Sequence, residues 1–296
     1  MTKPVIVGLG EILWDIFPDY KSAGGAPMNV AVHATQLGND GVPASRVGND
    51  ENGKELMSLL ASRSVNTAYI QKDDQAPTGT VEISIKGGEA IYTFPDNVAW
   101  DRLALTPAWL DLANQADVIC FGTLAQRNHI SRKTIREFLS HASKHCIKIA
   151  DLNFRQPHYS QEVVDSTLDI ANVVKLNLVE WQQLSGMFGI DDLAEWLFSH
   201  KNVQIICLTK GNDGAELITP DRHLVEPAHP ADINNGDSVG VGDAFTACLA
   251  HHLLRKSPLD ICIKAANKYA SQVATRNGAI PDLPASVIES VTGAMK

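Results

Sequence analysis

The chain has 296 residues, 44% of them hydrophobic, and carries 25 basic against 34 acidic side chains for a formal charge of −9. That length supports one large hydrophobic core. The acidic balance, with no basic run, argues against a nucleic-acid partner, and no stretch approaches the roughly 18 consecutive apolar residues that span a bilayer.

The N-terminus lacks the long apolar region of a signal peptide. Cys120, Cys146, Cys207, Cys248 and Cys262 are widely spaced, form no CxxC pair and lie mostly inside apolar runs. They read as buried thiols of a cytoplasmic protein. His141 and His145 stand four apart on a predicted helix with no third ligand near in sequence, and a solvated helix face explains them.

In chain order, Val5-Ile6-Val7-Gly8-Leu9-Gly10 reads as a buried strand ending in glycines. Leu13 stands where a dinucleotide fingerprint needs its third glycine, so that reading is weak. The stretch from Glu11 to Phe17 looks like a strand leaving the core, with Asp15 either solvated or turned into a cleft to meet a polyhydroxylated ligand. Gly24-Gly25-Ala26-Pro27-Met28-Asn29 leads into a helix, Pro27 in its first turn and Gly38 just past its end. Asn29 there either caps the helix or faces a ligand that the glycines allow to approach. A strand near 42–47 and a helix near 51–63 follow. Then Thr80–Lys86 and Ala90–Phe94 alternate around Gly87-Gly88, as a β-hairpin does.

After Trp100 strands and helices alternate. Thr106-Pro107 starts a helix, 117–122 is a strand, and Ser131 is expected to cap a helix running to about His145. Strands follow at 147–151, 172–176 and 203–209, with a helix capped by Ser160 and a further helical stretch between them. A final hairpin spans 214–219 and 222–226. Ser257-Pro258-Leu259-Asp260 reads as a capping box opening a helix that Asn277-Gly278 stops. The pattern predicts a three-layer αβα, doubly wound, mostly parallel sheet in a single domain over 1–296. Segments of about 12–20 and 79–100 are expected to form a small β-sheet lid that excludes water from a cleft.

Asp237-Ser238-Val239-Gly240-Val241-Gly242-Asp243-Ala244-Phe245 carries the chemistry. Phe245, Leu249 and Leu253 recur at helical spacing, so a glycine-rich turn opens a helix of about 242–255. Such a turn presents unpaired N–H groups and the positive end of the dipole, which suits a phosphate. An acid at 243 would repel that anion unless it takes a proton from an attacking hydroxyl. The alternative is a tight turn with Asp243 merely capping the helix.

These stretches resemble the signatures of the ribokinase-like, or PfkB, carbohydrate kinases, and are most similar to those of the fructokinases. Residues 24–29 resemble the first family signature and 237–245 the second, usually written DTxGAGDxF. Asp151-Leu152-Asn153-Phe154-Arg155 is similar to the DxNxR element, Asn177-Leu178-Val179-Glu180 to NxxE, and Thr209-Lys210-Gly211-Asn212-Asp213-Gly214 to TxGxxG. The resemblance implies transfer of the γ-phosphate of ATP to a sugar hydroxyl. It makes Asp243 the base and the amides of Gly240, Val241, Gly242 and Asp243 the anion hole, with Arg155 near the transferring phosphate. Asp15, Gly25 and Asn29 would hold the sugar with Arg155 and Asp243. Asn177, Thr209, Gly211, Gly214, Gly240, Gly242 and Asn267 would border the nucleotide. Asn177 and Glu180 would organise Mg²⁺ through water.

A monovalent cation such as K⁺ would lie on carbonyls of Asp237, Val239, Val273, Arg276 and Gly278. Here the sequence departs from the family, with valine at 239 for threonine and at 241 for alanine or glycine. Fructose is the acceptor that Arg155 and the first signature favour. Ribose, a keto-deoxy sugar acid or a nucleoside are alternatives, as is a non-catalytic sugar or nucleotide sensor. The open edges of the lid invite pairing into a homodimer.

Overall fold

The structure, a computed structural model, describes residues 2–86, 89–231 and 236–293. It runs through β1 (Val5–Leu9), β2 (Leu13–Ile16), β3 (Lys21–Gly24), α1 (Ala26–Gln36), β4 (Asp40–Gly48), α2 (Glu51–Ser62), β5 (Ile70–Asp73), β6 (Gly79–Lys86) and β7 (Glu89–Thr93). It continues through α3 (Pro107–Gln115), β8 (Val118–Phe121), α4 (His129–His141), β9 (Ile147–Asp151), α5 (Gln161–Ile170), β10 (Val173–Asn177), α6 (Leu178–Phe188) and α7 (Leu193–His200). The last part holds β11 (Ile205–Thr209), β12 (Ala215–Ile218), β13 (His223–Glu226), α8 (Val241–Leu253), α9 (Leu259–Ala274) and α10 (Ala285–Thr292).

Among the described residues the large sheet has nine strands in the order β13-β12-β11-β10-β9-β8-β1-β4-β5. Pairing is parallel from β11 to β5, and only the β11–β12 and β12–β13 pairings are antiparallel. The solid apolar runs of the central strands have a direct cause: both faces of the sheet are covered. Val174, Leu176, Ile206 and Leu208 face one core with Trp109, Phe138, Leu184 and Leu197 of α3, α4, α6 and α7. Their neighbours Val173 and Cys207 face the opposite core with Val30, Phe245, Leu249 and Tyr269 of α1, α8 and α9. This is the three-layer αβα arrangement expected from the alternation of elements. No helix among the described residues is long and apolar enough to cross a membrane.

A second sheet has the order β3-β2-β6-β7, with β2 parallel to β6 and the outer pairs antiparallel. The predicted hairpin strands are β6 and β7, while the Gly87-Gly88 turn lies outside the described residues. β3 escapes sequence reading because Lys-Ser-Ala-Gly has no alternating apolar pattern to mark it.

Two predicted caps are displaced. Asn128, not Ser131, caps α4, its side chain accepting from Ile130 N at 3.0 Å. Ser131 is instead fully buried, donating to Trp100 O and accepting from Leu103 N. That helix stops at His141, so His145 does not share its face. Pro258 occupies the N-cap of α9, and Ser257 lies 3.1 Å from His252 Nδ1 rather than on the helix start. Ser131 is taken up by a contact across the fold and Ser257 by His252 near the end of α8, so neither side chain is left for a helix start.

Candidate active site

In the 237–245 turn, Gly240 adopts φ +72° and serves as the N-cap of α8, which begins at Val241. The left-handed angle therefore falls on the glycine, and the β-branched valine keeps a helical one. A Cβ on Gly240 would lie 2.3 Å from the Ala279 carbonyl oxygen, so the turn packs directly on the segment after α9. Among the described residues no side chain caps α8. Its first N–H groups remain orphan donors at the positive end of the helix dipole.

Asp243 is half-buried on that first turn and accepts a 2.7 Å hydrogen bond from Asn29 Nδ2. Asn29 sits on the first turn of α1 and is 4% exposed, and its Oδ1 has no donor among the described residues. Burial, and next the Asp151 charge, push the Asp243 carboxyl up to about 7, against the Asn29 bond and the Lys175 charge. A carboxylate of that proton affinity is suited to take a proton near neutral pH.

The glycines before α1 make room for this pairing. Gly25 has φ +107°, and a Cβ there would meet the Glu11 carbonyl oxygen at 2.5 Å. A Cβ on Gly24 would lie 2.3 Å from Asp15 Oδ2, which fixes Asp15 of β2 over the start of α1. Burial raises the Asp15 carboxyl to about 6, with the Arg155 charge opposing. Glu11 is 3% exposed, its Oε2 has no partner among the described residues, and burial raises it to about 7. Arg155 is half-buried and donates to its neighbour's carbonyl, Phe154 O, at 3.2 Å. Asn29 and Asp243 are bonded, Asp15 packs on Gly24 beside Gly25, and the Arg155 charge acts on Asp15, so these residues are linked near the starts of α1 and α8.

Asn177 and Glu180 form a reciprocal cap on α6. The Asn177 side chain accepts from Glu180 N at 2.9 Å and Glu180 Oε2 accepts from Asn177 N at 2.8 Å. Glu180 Oε1 also accepts from Phe154 N at 3.1 Å, so this buried carboxylate ties the DxNxR segment to α6. Burial raises its pKa, and the Asp151 charge adds to that.

A cavity of about 580 Å³ opens beside the turn. Thr209, Gly211, Gly214, Gly242 and Asn267 line it together with Asp237. Asn267 Nδ2 donates to Glu226 O and Pro227 O, both at 3.1 Å, so its amide anchors the cavity wall rather than projecting a donor into it. Of the residues considered for a monovalent cation, Asp237 accepts from Val239 N and Gly278 N, each at 2.9 Å. Its N–H donates to Arg276 O at 3.2 Å. These contacts bring the turn and the end of α9 together, with the Asp237 side chain occupied as a clamp. A second cavity of about 450 Å³, bounded by Asp101, Arg127 and His158, shares none of the residues of this cleft.

Sequence reasoning missed Lys175. It lies 7% exposed on β10 and pairs with Asp151 Oδ2 at 2.8 Å and Oδ1 at 3.1 Å. The signal was present: one lysine inside the apolar run Val-Val-Lys-Leu must find a buried counter-charge.

A sequence profile of the pfkB family carbohydrate kinases matches residues 20–286. Fructokinase-2 of Solanum lycopersicum is 28% identical over 309 residues, covering 95% of this chain and 93% of its own. Among solved structures, an uncharacterized sugar kinase from Pyrococcus horikoshii in complex with ATP aligns with a TM-score of 0.82 at 26% identity. That alignment covers 93% of this chain and 94% of the other. Fructokinase with bound ATP from Xylella fastidiosa has a TM-score of 0.87 over 99% of both chains at 21% identity, a likeness of fold.

Replacing Asn29 by alanine removes a bond that favours the charged form of Asp243, so its pKa should rise above about 7. Carbon-13 NMR titration of the Asp243 carboxyl reads this directly. An unmoved or lowered midpoint would show that Asn29 does not stabilise the carboxylate.

Proposed function

The chain belongs to the pfkB family of carbohydrate kinases, with their ribokinase-like α/β fold, and we propose that it transfers the γ-phosphate of ATP to a hydroxyl of fructose. The observation that carries this reading is the Asn29–Asp243 pair, a buried-edge carboxylate held on the first turn of a glycine-capped helix beside a nucleotide-sized cavity. The sugar would lie between Asp15, Gly25, Asn29 and Arg155, whose short-range donors and acceptors suit several hydroxyls. Asp243 takes the proton of the attacking hydroxyl as its oxygen bonds to phosphorus and the bond to the ADP oxygen breaks. The amides of Gly240, Val241, Gly242 and Asp243 receive the charge on the phosphoryl group in flight.

ATP would occupy the cavity bounded by Thr209, Gly211, Gly214 and Asn267. Mg²⁺ supplies charge neutralisation between the phosphates when bound. Asn177 and Glu180 would hold it through water: Asn177 pairs with Thr209, which lines the cavity, while Glu180, its two oxygens accepting Asn177 N and Phe154 N, would set a negative charge behind it. The small sheet, which carries Asp15, would act as the lid. Two copies would pair through its outer strands β3 and β7, where Tyr20 is 60% and Tyr92 52% exposed. K⁺ would sit between the 237–239 turn and the end of α9. A sugar acid is the second reading, favoured by Arg155, whose hydrogen bond to Phe154 O leaves most of its fork open to a carboxylate.

ADP release from MgATP should be fastest with fructose in a panel that includes ribose, a 3-deoxy-2-keto sugar acid and nucleosides. A faster sugar acid would select the second reading. Asp243→Asn should lower kcat by about 10²–10⁴, and kcat/KM of the wild type should fall as pH drops through about 7, where Asp243 gains its proton. Near-normal turnover in that variant would remove Asp243 as the base. Replacing K⁺ by tetramethylammonium should lower activity, and identical rates in the two salts would reject the cation. Light scattering should give twice the chain mass for the wild type and the single mass for Tyr20→Lys, whereas a monomeric wild type would end the dimer proposal.

A further inference from the structure

Behind the anion-binding turn lies a buried ionic group that this reading of the reaction leaves without a task. Lys175 and Asp151 are 7% and 6% exposed and sit on adjacent strands, β10 and β9, facing the core under α8. Lys175 Nζ reaches both Asp151 oxygens, at 2.8 and 3.1 Å. A Cβ built on Gly242 would lie 2.9 Å from that same Nζ, so the ammonium is pressed against the backbone of the turn's second glycine. Thr246, one helical turn on, is fully buried. Its Oγ1 is 2.9 Å from Gly242 O and 3.3 Å from Asp151 Oδ2, one hydroxyl proton between two acceptors.

We propose that the Lys175–Asp151 pair, tied through Thr246 to the first turn of α8, is a positioning device for phosphoryl transfer. It fixes the Gly242 amide and sets a positive charge behind the peptide groups that face the phosphate. This rests on the reading of the 240–243 turn as the anion hole. Three features separate the pair from ordinary core stabilisation. A buried ion pair is weak stabilisation by itself, since desolvating both charges offsets their attraction. The lysine is aimed at a glycine whose missing side chain leaves room for it. The single hydroxyl that joins the pair to α8 also lies within donating distance of Gly242 O.

The pair also bears on Asp243. Facing that carboxyl are Asn29 from α1, Glu11 after β1, the Cys120 thiol of β8, Asp151 and Lys175. Lys175 in turn faces Asp151, Glu180 of α6 and the Cys207 thiol of β11. Lys175 favours the charged base and Asp151 disfavours it. Removing one charge or the other should therefore move the base in opposite directions, and the loss of turnover in the neutral double variant is what a purely structural pair would not give.

The test compares wild type, Lys175→Met, Asp151→Asn, Thr246→Val and the double variant Lys175→Met/Asp151→Leu, with the best acceptor found and MgATP. The acid limb of kcat/KM should shift to higher pH in Lys175→Met and to lower pH in Asp151→Asn. The double variant replaces the pair by apolar groups of similar size, a change that often leaves stability equal or higher. It should melt no lower than wild type, keep both KM values within about threefold, and lose kcat roughly tenfold, less than the hundredfold or more that follows removal of a direct oxyanion donor. Thr246→Val keeps the pair and breaks the link, and its kcat should also fall. A double variant that fails to fold, or that folds with wild-type kcat, overturns the proposal in favour of a structural pair. So do single variants whose acid limbs stay together. Failure of the base assignment is read separately, because Asp243→Asn would then remain active while the double variant still loses turnover.

Discussion

The 2.7 Å hydrogen bond between Asn29 and Asp243 joins residues 214 positions apart in the chain, and the site is organised around it. It requires the N-termini of α1 and α8 to meet at one edge of the sheet. Glycines make that approach sterically possible. A Cβ on Gly8 would lie 1.8 Å from Pro27 O, so α1 rests directly on β1. A Cβ on Gly236 would lie 1.9 Å from Ala274 O, so the chain entering the turn rests on the end of α9. With both helix starts seated this closely, two positive dipole ends lie near each other, the α1 end already meeting Glu11 through the Ala26 N–H and the α8 end left uncapped.

That region is rich in carboxylates. Glu11, Asp15 and Asp243 are all raised by burial as the leading cause, and Arg155 and Lys175 are the cations that oppose it. The arrangement explains why Lys175 remains buried. Removing one partner of such a pair typically costs about 3–5 kcal/mol because the other charge is left alone, whereas replacing both together can be neutral.

The two sheets divide the work. The large sheet, covered on both faces, holds Asp151, Lys175, Asn177 and Thr209 in register at the ends of adjacent strands. The small sheet carries Asp15, held against α1 by Gly24. In the proposed reaction, acceptor contacts thus come partly from the smaller sheet, while proton transfer and anion binding belong to the helix starts of the larger body. Movement of one sheet against the other would alter the distance between acceptor and base without disturbing either half.

The residues alone determined the strand–helix alternation, the glycine-capped start of α8, the two family signatures and the kinase chemistry they imply. Each is a local pattern, set by side-chain periodicity or by the backbone freedom of glycine, and so is readable one segment at a time. Other features needed the folded chain. Ser131 and Ser257 look like caps but turn to partners elsewhere, Asn267 turns its amide to the β13 backbone, and Glu180 reaches across to Phe154 N. Lys175 showed only as a charge inside an apolar run, and neither Asp151 as its partner nor Gly242 as its neighbour could be named from spacing. The reason is physical: desolvation and hydrogen-bond direction depend on everything packed around a group, and in a parallel sheet those neighbours come from strands and helices far apart in sequence.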